Sequence, residues 1–180
     1  MGEGVSIRNV VASCTADTKI PLSRLAMELE GTEYEPEQFP GLVVRLVDPK
    51  AAALLFNSGK IVCTGTKSPE DAKIAVDKLV NTIRGLGVTI GNIKDITIQN
   101  IVASTTMGSK LNLNKIAVEL EGTEYEPEQF PGLIYRLDEP QVVFLLFTSG
   151  KVICAGGKSQ KELERSIAKL RENLIGVGAL

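Results

Sequence analysis

The sequence contains no histidine and no tryptophan, and only three of its 180 residues are cysteines. Without histidine, Ser–His and Cys–His catalysis and most zinc sites are excluded, and the commonest general base near pH 7 is missing. No apolar run approaches the roughly 18 residues that span a membrane, and the start, Met1-Gly2-Glu3-Gly4, has no signal-peptide pattern. We therefore expect a soluble, intracellular protein that does not bind membranes.

The three cysteines, Cys14, Cys63 and Cys154, are an odd number, and none forms a C-x-x-C pair. This pattern predicts small buried apolar side chains in a reducing compartment. The hydrophobic fraction of 43% is enough for a packed core. The net charge of −2, taken alone, argues against a nucleic-acid-binding domain, because such domains are usually basic.

An internal repeat dominates the chain. The segment Glu33-Tyr-Glu-Pro-Glu-Gln-Phe-Pro-Gly-Leu42 recurs without change from Glu124 to Leu133, 91 residues later. The same offset aligns Ser58-Gly59-Lys60 with Ser149-Gly150-Lys151. Self-similarity at a fixed period marks a repeated structural unit. We predict a first repeat at residues 1–91 and a second at 92–180, intertwined in one structural domain.

Each copy predicts the same order of elements. In the first copy these are a strand at 5–13, a short helix at 21–29, a loop at 30–41, and strands at 42–47, 52–57 and 60–64. A long helix follows, with Ser68 as N-cap, Pro69 at its first position and Gly85 at its end. In the second copy Ser159 and Glu162 predict a capping box. Short turns between strands predict an antiparallel sheet with helices on one face.

The other face of this sheet is open to two interpretations. Strand alternation places Leu54 and Phe56 together, and Val11 and Val62 on corresponding faces of their strands. If these side chains lie on the uncovered side, they form a wide apolar surface of the kind that marks binding sites. Alternatively, this face is the core and the flanking polar residues are strand ends. The pattern alone does not decide between them.

The net charge combines two differently charged groups of residues. Ten of the 22 acidic residues lie in two short segments, 28–37 and 119–128. Basic residues occur on or beside the predicted strands as repeat-matched pairs. These pairs are Arg45 with Arg136, Lys60 with Lys151, and Lys67 with Lys158. A basic face with an acidic rim is therefore compatible with a total near zero.

Four motifs give the chain a resemblance to a known family. They are Ile98-Gln-Asn-Ile-Val102, Tyr125-Glu-Pro-Glu-Gln-Phe-Pro-Gly-Leu-Ile-Tyr-Arg136, Leu145-Leu-Phe-Thr-Ser-Gly-Lys151 and Cys63-Thr-Gly-Thr-Lys67. With them, essentially the whole chain resembles the TATA-box-binding proteins of the archaeal kind. The resemblance implies an α+β saddle of two pseudo-symmetric repeats. Its curved antiparallel sheet would have about ten strands, with the helices on the convex face.

The resemblance also implies roles for individual residues on a sheet face that binds the DNA minor groove. The phenylalanines that wedge between bases and kink the duplex would be Phe39, Phe56, Phe130 and Phe147. Base contacts would come from Asn9, Asn100, Val11, Val102, Leu54, Leu145, Val62, Ile153 and Thr64. Phosphate contacts would come from Arg45, Arg136, Lys60, Lys151, Lys67, Lys158, Ser58 and Ser149. The fifth phenylalanine, Phe144, aligns with Ala53 and is expected in the core.

One departure from the family pattern and one partner site complete the implied picture. Ala155 stands where the family pattern has the counterpart of Thr64, so one central base contact should be lost. Glu126 and Glu128 lie in the loop where transcription factor B docks in the family, but the first repeat has an identical loop. The loop alone therefore cannot set an orientation on DNA.

The resulting hypothesis is a general transcription initiation factor that binds A·T-rich TATA-box promoters and recruits transcription factor B and, through it, RNA polymerase. It requires no cofactor or metal, is not an enzyme, and places the protein on the nucleoid in the cytoplasm of an archaeal cell. The open apolar face also allows a homodimer when DNA is absent. The alternative is a duplicated α+β module that uses this face to bind a protein or small ligand.

Overall fold

The computed structural model describes residues 4–180, apart from the side chain of Asp95. The first three residues, where the sequence shows no signal-peptide pattern, lie outside this range. Within it the chain forms ten strands and four helices in two compact units. The first half is Asn9–Gln99, and the second half combines residues 4–8 with Asn100–Leu180.

The two halves contain the same elements in the same order. The first repeat forms β1 (Ser6–Ala16), α1 (Leu22–Glu28), β2 (Thr32–Glu33), β3 (Leu42–Val47), β4 (Lys50–Leu55), β5 (Lys60–Thr66) and α2 (Pro69–Gly85). The second forms β6 (Ile93–Thr106), α3 (Leu113–Glu119), β7 (Thr123–Glu124), β8 (Leu133–Asp138), β9 (Gln141–Leu146), β10 (Lys151–Gly157) and α4 (Gln160–Gly176). The first residues of β1, up to Arg8, belong to the second half. The first residues of β6, up to Gln99, belong to the first half.

Each half contains five antiparallel strands. The order is β2-β3-β4-β5-β1 in the first half and β6-β10-β9-β8-β7 in the second. Consecutive strands pair through short turns, as the sequence predicts. In the first half Leu42 pairs with Leu55, and Leu55 pairs with Ile61. The predicted α+β class is confirmed by this arrangement.

The core of the first half lies between its sheet and α2. Alternate strand residues such as Val44, Ala53 and Cys63 are buried together with the α2 residues Val76 and Leu79. The apolar stripe predicted for this helix is confirmed, since all four of its members are buried: Ala72, Val76, Leu79 and Ile83. In the second half α4 packs on β10 in the same way, and Phe144 is fully buried, as expected.

Helix capping follows the sequence closely. The Ser68 hydroxyl accepts a 3.0 Å hydrogen bond from the Asp71 backbone N–H, and the Ser159 hydroxyl accepts one of 3.1 Å from Glu162. The Glu162 carboxylate, however, accepts from the backbone N–H of Lys158 at 3.3 Å rather than from that of Ser159. The capping box is therefore shifted by one residue on its carboxylate side.

Several strands differ from the prediction: β1 ends at Ala16 instead of residue 13, and β5 ends at Thr66 instead of residue 64. The interval 30–41, predicted as loop, contains the two-residue strand β2, which pairs with β3 through Thr32 and Val44. β4 covers Lys50–Leu55 instead of 52–57, because Asp48-Pro49 forms a tight turn that pairs Val47 with Lys50. At its other end Phe56 begins the hairpin loop to β5.

The three cysteines are free and buried, as predicted. Burial raises the pKa of Cys14 to about 11 and that of Cys154 to about 12, and it also raises the pKa of Cys63. These thiols behave as small apolar side chains. Among residues 4–180, no helix is both long and apolar enough to cross a membrane.

Candidate nucleic-acid interface

The sheet face opposite the helices is lined by partly exposed aliphatic side chains. In the first half Val43, Leu54 and Val62 stand side by side on β3, β4 and β5. In the second half Ile134, Leu145 and Ile153 form the same row. Their neighbours along each strand are buried against the helices. Of the two interpretations that the sequence left open, the uncovered apolar face is therefore correct.

A pair of phenylalanine rings stands beside each aliphatic row. Phe39 and Phe56 have ring centroids 5.8 Å apart with planes at 72°, and Phe130 and Phe147 repeat this at 6.0 Å and 69°. The exposed fraction of both Phe39 and Phe130 is 41%, which is high for so large an apolar side chain. The structure therefore brings the four predicted wedges together as two edge-to-face pairs, one in each half.

Backbone hydrogen bonds hold these rings in place. The Phe39 N–H donates to the Glu35 carbonyl at 3.0 Å, which closes a turn in the acidic loop. The Phe56 N–H donates to the Lys60 carbonyl at 2.9 Å at the base of the β4–β5 hairpin. Phe130 and Phe147 make the equivalent bonds to Glu126 and Lys151. The wedges are thus fixed by two tight loops in each half.

The close approach of the rings depends on a glycine beneath them. A Cβ built on Gly41 would lie 2.7 Å from Cε2 of Phe39 and 3.0 Å from Cε1 of Phe56. On Gly132 it would lie 2.8 Å from Cε2 of Phe130. Any larger residue at these positions would displace a ring. From the sequence alone, Gly41 indicates only a break in a loop. The signal that could have revealed its packing role is that a glycine follows the first phenylalanine of the pair by two residues in both repeats.

Asn9 and Asn100 lie on the same face, and each is oriented by a β-bulge in the neighbouring strand. The pairing of β1 with β5 shifts register next to Gly65, and that of β6 with β10 shifts next to Gly156. The φ angles of these glycines, +98° and +107°, are ones that other residues rarely adopt. Each bulge points a backbone N–H at an asparagine Oδ1, at 2.6 Å in both halves.

This bond fixes which way the asparagine amide points. Because Oδ1 accepts from the glycine N–H, the other branch of the amide is the NH2 group, which carries two donor hydrogens. In the first half the NH2 group of Asn9 donates one hydrogen bond to the Thr64 hydroxyl at 3.2 Å. In the second half Ala155 provides no hydroxyl beside Asn100. The departure noted in the sequence therefore makes the two halves chemically different beside these asparagines.

The basic residues predicted to contact phosphates are all exposed. Lys60 and Ser58 share the hairpin of Phe56, and Lys151 and Ser149 share that of Phe147. Arg45, in contrast, forms a 2.8 Å ion pair with Glu33, and Arg136 forms one of 3.1 Å with Glu124. The sequence did not predict this pairing of the arginines with the acidic segments. Such exposed pairs contribute little to stability and can exchange partners.

The acidic loop of the second half exposes Glu126 and Glu128 next to Phe130. The Glu126 carbonyl accepts hydrogen bonds from the backbone N–H groups of Gln129 and Phe130. The same turn that presents the phenylalanine therefore presents both carboxylates. The first-half loop has the same sequence and the same bonds at Gln38 and Phe39. The two loops do not distinguish the halves.

Comparison with known proteins places this geometry in a family. The family model described as transcription factor TFIID, or TATA-binding protein, matches the chain twice, over residues 4–86 and 95–176. The chain belongs to the TATA-box-binding protein family. Both matched segments contain a phenylalanine pair and a bulge-oriented asparagine.

Individual relatives match over almost the full length. The chain is 51% identical to the TATA-box-binding protein of Haloarcula marismortui, over 99% of this chain and 97% of that one. It is 48% identical to the protein of Thermoplasma volcanium, over 99% and 98%. The solved structure of Methanococcus jannaschii TBP superposes with a TM-score of 0.89 at 49% identity, covering 96% of this chain and 99% of that chain. The family fold that the motifs implied is thus confirmed, and the relatives are named as DNA-binding proteins rather than enzymes.

Proposed function

We propose that this chain is a transcription initiation factor that binds TATA-box DNA in the minor groove. The observation that supports this best is the fixed amide of Asn9 and Asn100 within an aliphatic surface. The minor groove of an A·T pair offers only acceptors, adenine N3 and thymine O2, while G·C adds the guanine amino donor. The N–H groups of these amides that have no partner within the sheet would donate to the acceptors, and the aliphatic rows have nothing to accept from guanine.

The phenylalanine pairs supply the means of kinking the duplex. Unstacking a base step costs a few kcal/mol, and bending a site costs roughly 1–6 kcal/mol more. Burying one phenylalanine covers about 150–250 Å², or very roughly 4–6 kcal/mol of gross transfer free energy. Phe39 and Phe130 are 41% exposed in the free protein, so each ring contributes only the part of this free energy that belongs to its exposed area, and the four rings together offset part of the deformation. Because the rings are already held at the edge of an apolar face, little ordering is required on binding.

The phosphate contacts assigned to Ser58, Ser149, Lys60, Lys151, Lys67 and Lys158 are compatible with their exposed positions. Arg45 and Arg136 would have to leave their glutamate partners to join them. The exchange replaces a solvent-exposed carboxylate with a phosphate, and both accept hydrogen bonds from a guanidinium. Glu33 and Glu124 would then be released at the start of the acidic loop of their own half.

On this proposal Glu126 and Glu128 bind transcription factor B, which in turn recruits RNA polymerase. Their exposure beside a wedge suits a partner that contacts the protein and the bent DNA together. The free protein would cover its apolar face by pairing with a second copy. Its location on the nucleoid would follow from binding DNA.

The experiment that tests DNA recognition is a gel shift with a TATA duplex and a G·C duplex of equal length. We expect a discrete complex with the TATA duplex at a protein concentration that leaves the G·C duplex free. Equal binding to both duplexes would contradict the proposal that the protein recognises A·T pairs in the minor groove. Binding to neither would favour the alternative, a protein-interaction or ligand-binding module that uses the same face.

Recruitment of factor B is tested separately, on the preformed DNA complex. We expect added factor B to retard the complex further, and the double charge reversal E126K and E128K to abolish this step while DNA binding is kept. The matched control reverses the identical first-half loop, E35K and E37K. Loss of the factor B shift in both variants would show that the second loop is not the specific site.

A further inference from the structure

The second half contains a groove that the described residues leave unfilled. It lies between α4, the end of β6 and residues 4–5, and has a volume of about 990 Å³. Its lining includes Thr106, Met107, Ile167, Ala168, Arg171 and Ile175. Ile175 is 56% exposed, which is unusual for isoleucine on a helix that packs on a sheet. The groove shares no lining residue with the row of Ile134, Leu145 and Ile153.

The internal repeat shows what the equivalent place in the first half contains. There the segment that follows α2 lies against that helix and the end of β1. Val88 and Ile90 are both 5% exposed and belong to the core cluster, together with Ala16, Val76 and Val80. These two side chains are two positions apart, so the segment presents one apolar face in an extended form.

Hydrogen bonds fix the backbone of residues 90–92 against α2 and the residues that follow β1. The Arg84 guanidinium donates to the carbonyl oxygens of Ile90 at 3.1 Å and of Gly91 at 3.2 Å. The Asp17 N–H donates to the Asn92 carbonyl at 3.3 Å, and the Gly91 N–H donates to the Thr18 hydroxyl at 3.0 Å. The first half therefore holds an extended apolar segment between its long helix and its first strand.

The offset of 91 residues maps this binding place onto the open groove. Ala16, Val76 and Val80 correspond to Met107, Ile167 and Arg171. Asp17, Asp77 and Arg84 correspond to Gly108, Ala168 and Ile175. All six counterparts line the groove. The charged Asp77 and Arg84 are replaced by alanine and isoleucine, whereas the apolar Val80 is replaced by Arg171.

We propose that this groove is a docking site for an extended segment of a partner polypeptide that carries two aliphatic side chains two positions apart. The occupant's chemistry is taken from Val88 and Ile90, which fill the equivalent place. Two carboxylates, Glu164 and Glu172, also line the groove and outnumber its single arginine, so a basic residue beside the apolar pair suits it. The site is independent of the DNA-binding face and does not rest on the proposed function.

The test uses the full chain and a fluorescent peptide with the sequence of residues 86–94, Leu-Gly-Val-Thr-Ile-Gly-Asn-Ile-Lys. We expect saturable binding by fluorescence anisotropy. A168R, which fills the groove from an exposed helix position, should weaken binding at least tenfold. The matched control Q160R adds the same side chain at the other end of α4 and should leave binding unchanged. A peptide with aspartate at both aliphatic positions should not bind.

Three results would overturn the proposal. One is the absence of saturable binding to the unmodified chain, which would also be the result if the chain's own residues filled the groove. Another is equal binding by A168R and Q160R. The third is a concentration-dependent dimer of the unmodified chain that A168R converts to a monomer, since the occupant would then be a second copy. Circular dichroism of both variants shows that a loss of binding is not a loss of fold.

Discussion

The backbone N–H of Gly65 donates a 2.6 Å hydrogen bond to Oδ1 of Asn9, and the pair Gly156 and Asn100 repeats it at the same distance. A backbone bulge thus decides the orientation of a side-chain amide. Because the bulge glycine has a positive φ, the arrangement is built into the chain before any ligand arrives. Two donors are thereby fixed on a surface that otherwise has aliphatic character.

The first prediction concerns the NH2 group of Asn9. N9D keeps an oxygen for the Gly65 N–H but replaces the amide donor with a negatively charged acceptor. On the proposed function this acceptor would face the base edges in the DNA minor groove. We expect TATA affinity, measured by fluorescence anisotropy, to fall at least about tenfold, since one good base contact contributes about 1–3 kcal/mol. N81D adds the same charge to an exposed position of α2 and should change affinity far less. Equal effects would mean that only net charge matters.

The glycine under each ring pair gives a second prediction. G41A and G132A place a methyl group within 3.0 Å of a ring, so Phe39 or Phe56 must move. We expect reduced DNA bending, measured by energy transfer between dyes at the duplex ends. G85A is the control, because no atom lies within 4 Å of its new Cβ and alanine stabilises a helix by up to about 1 kcal/mol over glycine. Normal bending by G41A and G132A would contradict the role of the ring pairs.

A third prediction separates wedge phenylalanines from the core phenylalanine. The double variant F56A and F147A should lose DNA bending before it loses its fold, since both rings are partly exposed. F144A should instead cost about 3–5 kcal/mol of unfolding free energy, because that ring is fully buried and stacks on Tyr135 at 6.1 Å. Urea unfolding and end-to-end energy transfer measure the two effects. Normal bending by the double variant would remove the wedge assignment.

Much of the fold was predictable from the sequence because the chain contains two copies of one structural unit. The 91-residue offset showed the helices and the longer strands in two versions, and the apolar stripe of α2 lies where the periodicity placed it. Strand alternation correctly grouped Leu54 with Phe56. It did not say which group faced the helices, because both groups are apolar in the middle of the strand. That choice depends on tertiary packing.

Features that depend on backbone geometry were not predictable. The bulge at Gly65 requires knowing how β1 and β5 pair, because a glycine within a strand also occurs at tight bends and where another backbone approaches closely. The ion pair of Arg45 with Glu33 depends on the two-residue strand β2, which is too short to have a periodicity of its own. For the same reason the acidic and basic residues looked more separated in the sequence than they are in the fold.

The buried thiols give a prediction on pH. The pKa of Cys14 is raised from its ordinary value of 9.0 to about 11, and that of Cys154 to about 12. Above pH 9 the unfolded thiols ionise while the folded ones keep their protons. Stability from these groups is therefore full below pH 9 and falls as pH rises toward 11 and 12. The urea midpoint should drop between pH 8 and pH 10, and the drop should be smaller in the double variant C14A and C154A. An equal drop in the double variant would show that groups other than these two thiols cause the pH dependence of stability.

Salt dependence tests which basic residues meet phosphate. Six cations, Arg45, Arg136, Lys60, Lys151, Lys67 and Lys158, predict a slope of about −5 for log affinity against log salt. The two arginines are ion-paired in the free protein, so their inclusion requires an exchange of Glu33 and Glu124 for phosphate. A slope close to about −4 would mean that these pairs persist on DNA.

Substitution of two lysines sharpens this measurement. K60A with K151A should reduce the magnitude of the slope by about 2, because each lost phosphate contact releases about one counterion fewer. The control K73A with K161A removes two exposed lysines from the long helices, away from the wedge hairpins, and keeps the same net charge as the test variant. We expect its slope to match that of the unmodified chain. If both double variants lowered the slope equally, general attraction between the protein and DNA would explain the salt effect, and the hairpin lysines would have no direct contact.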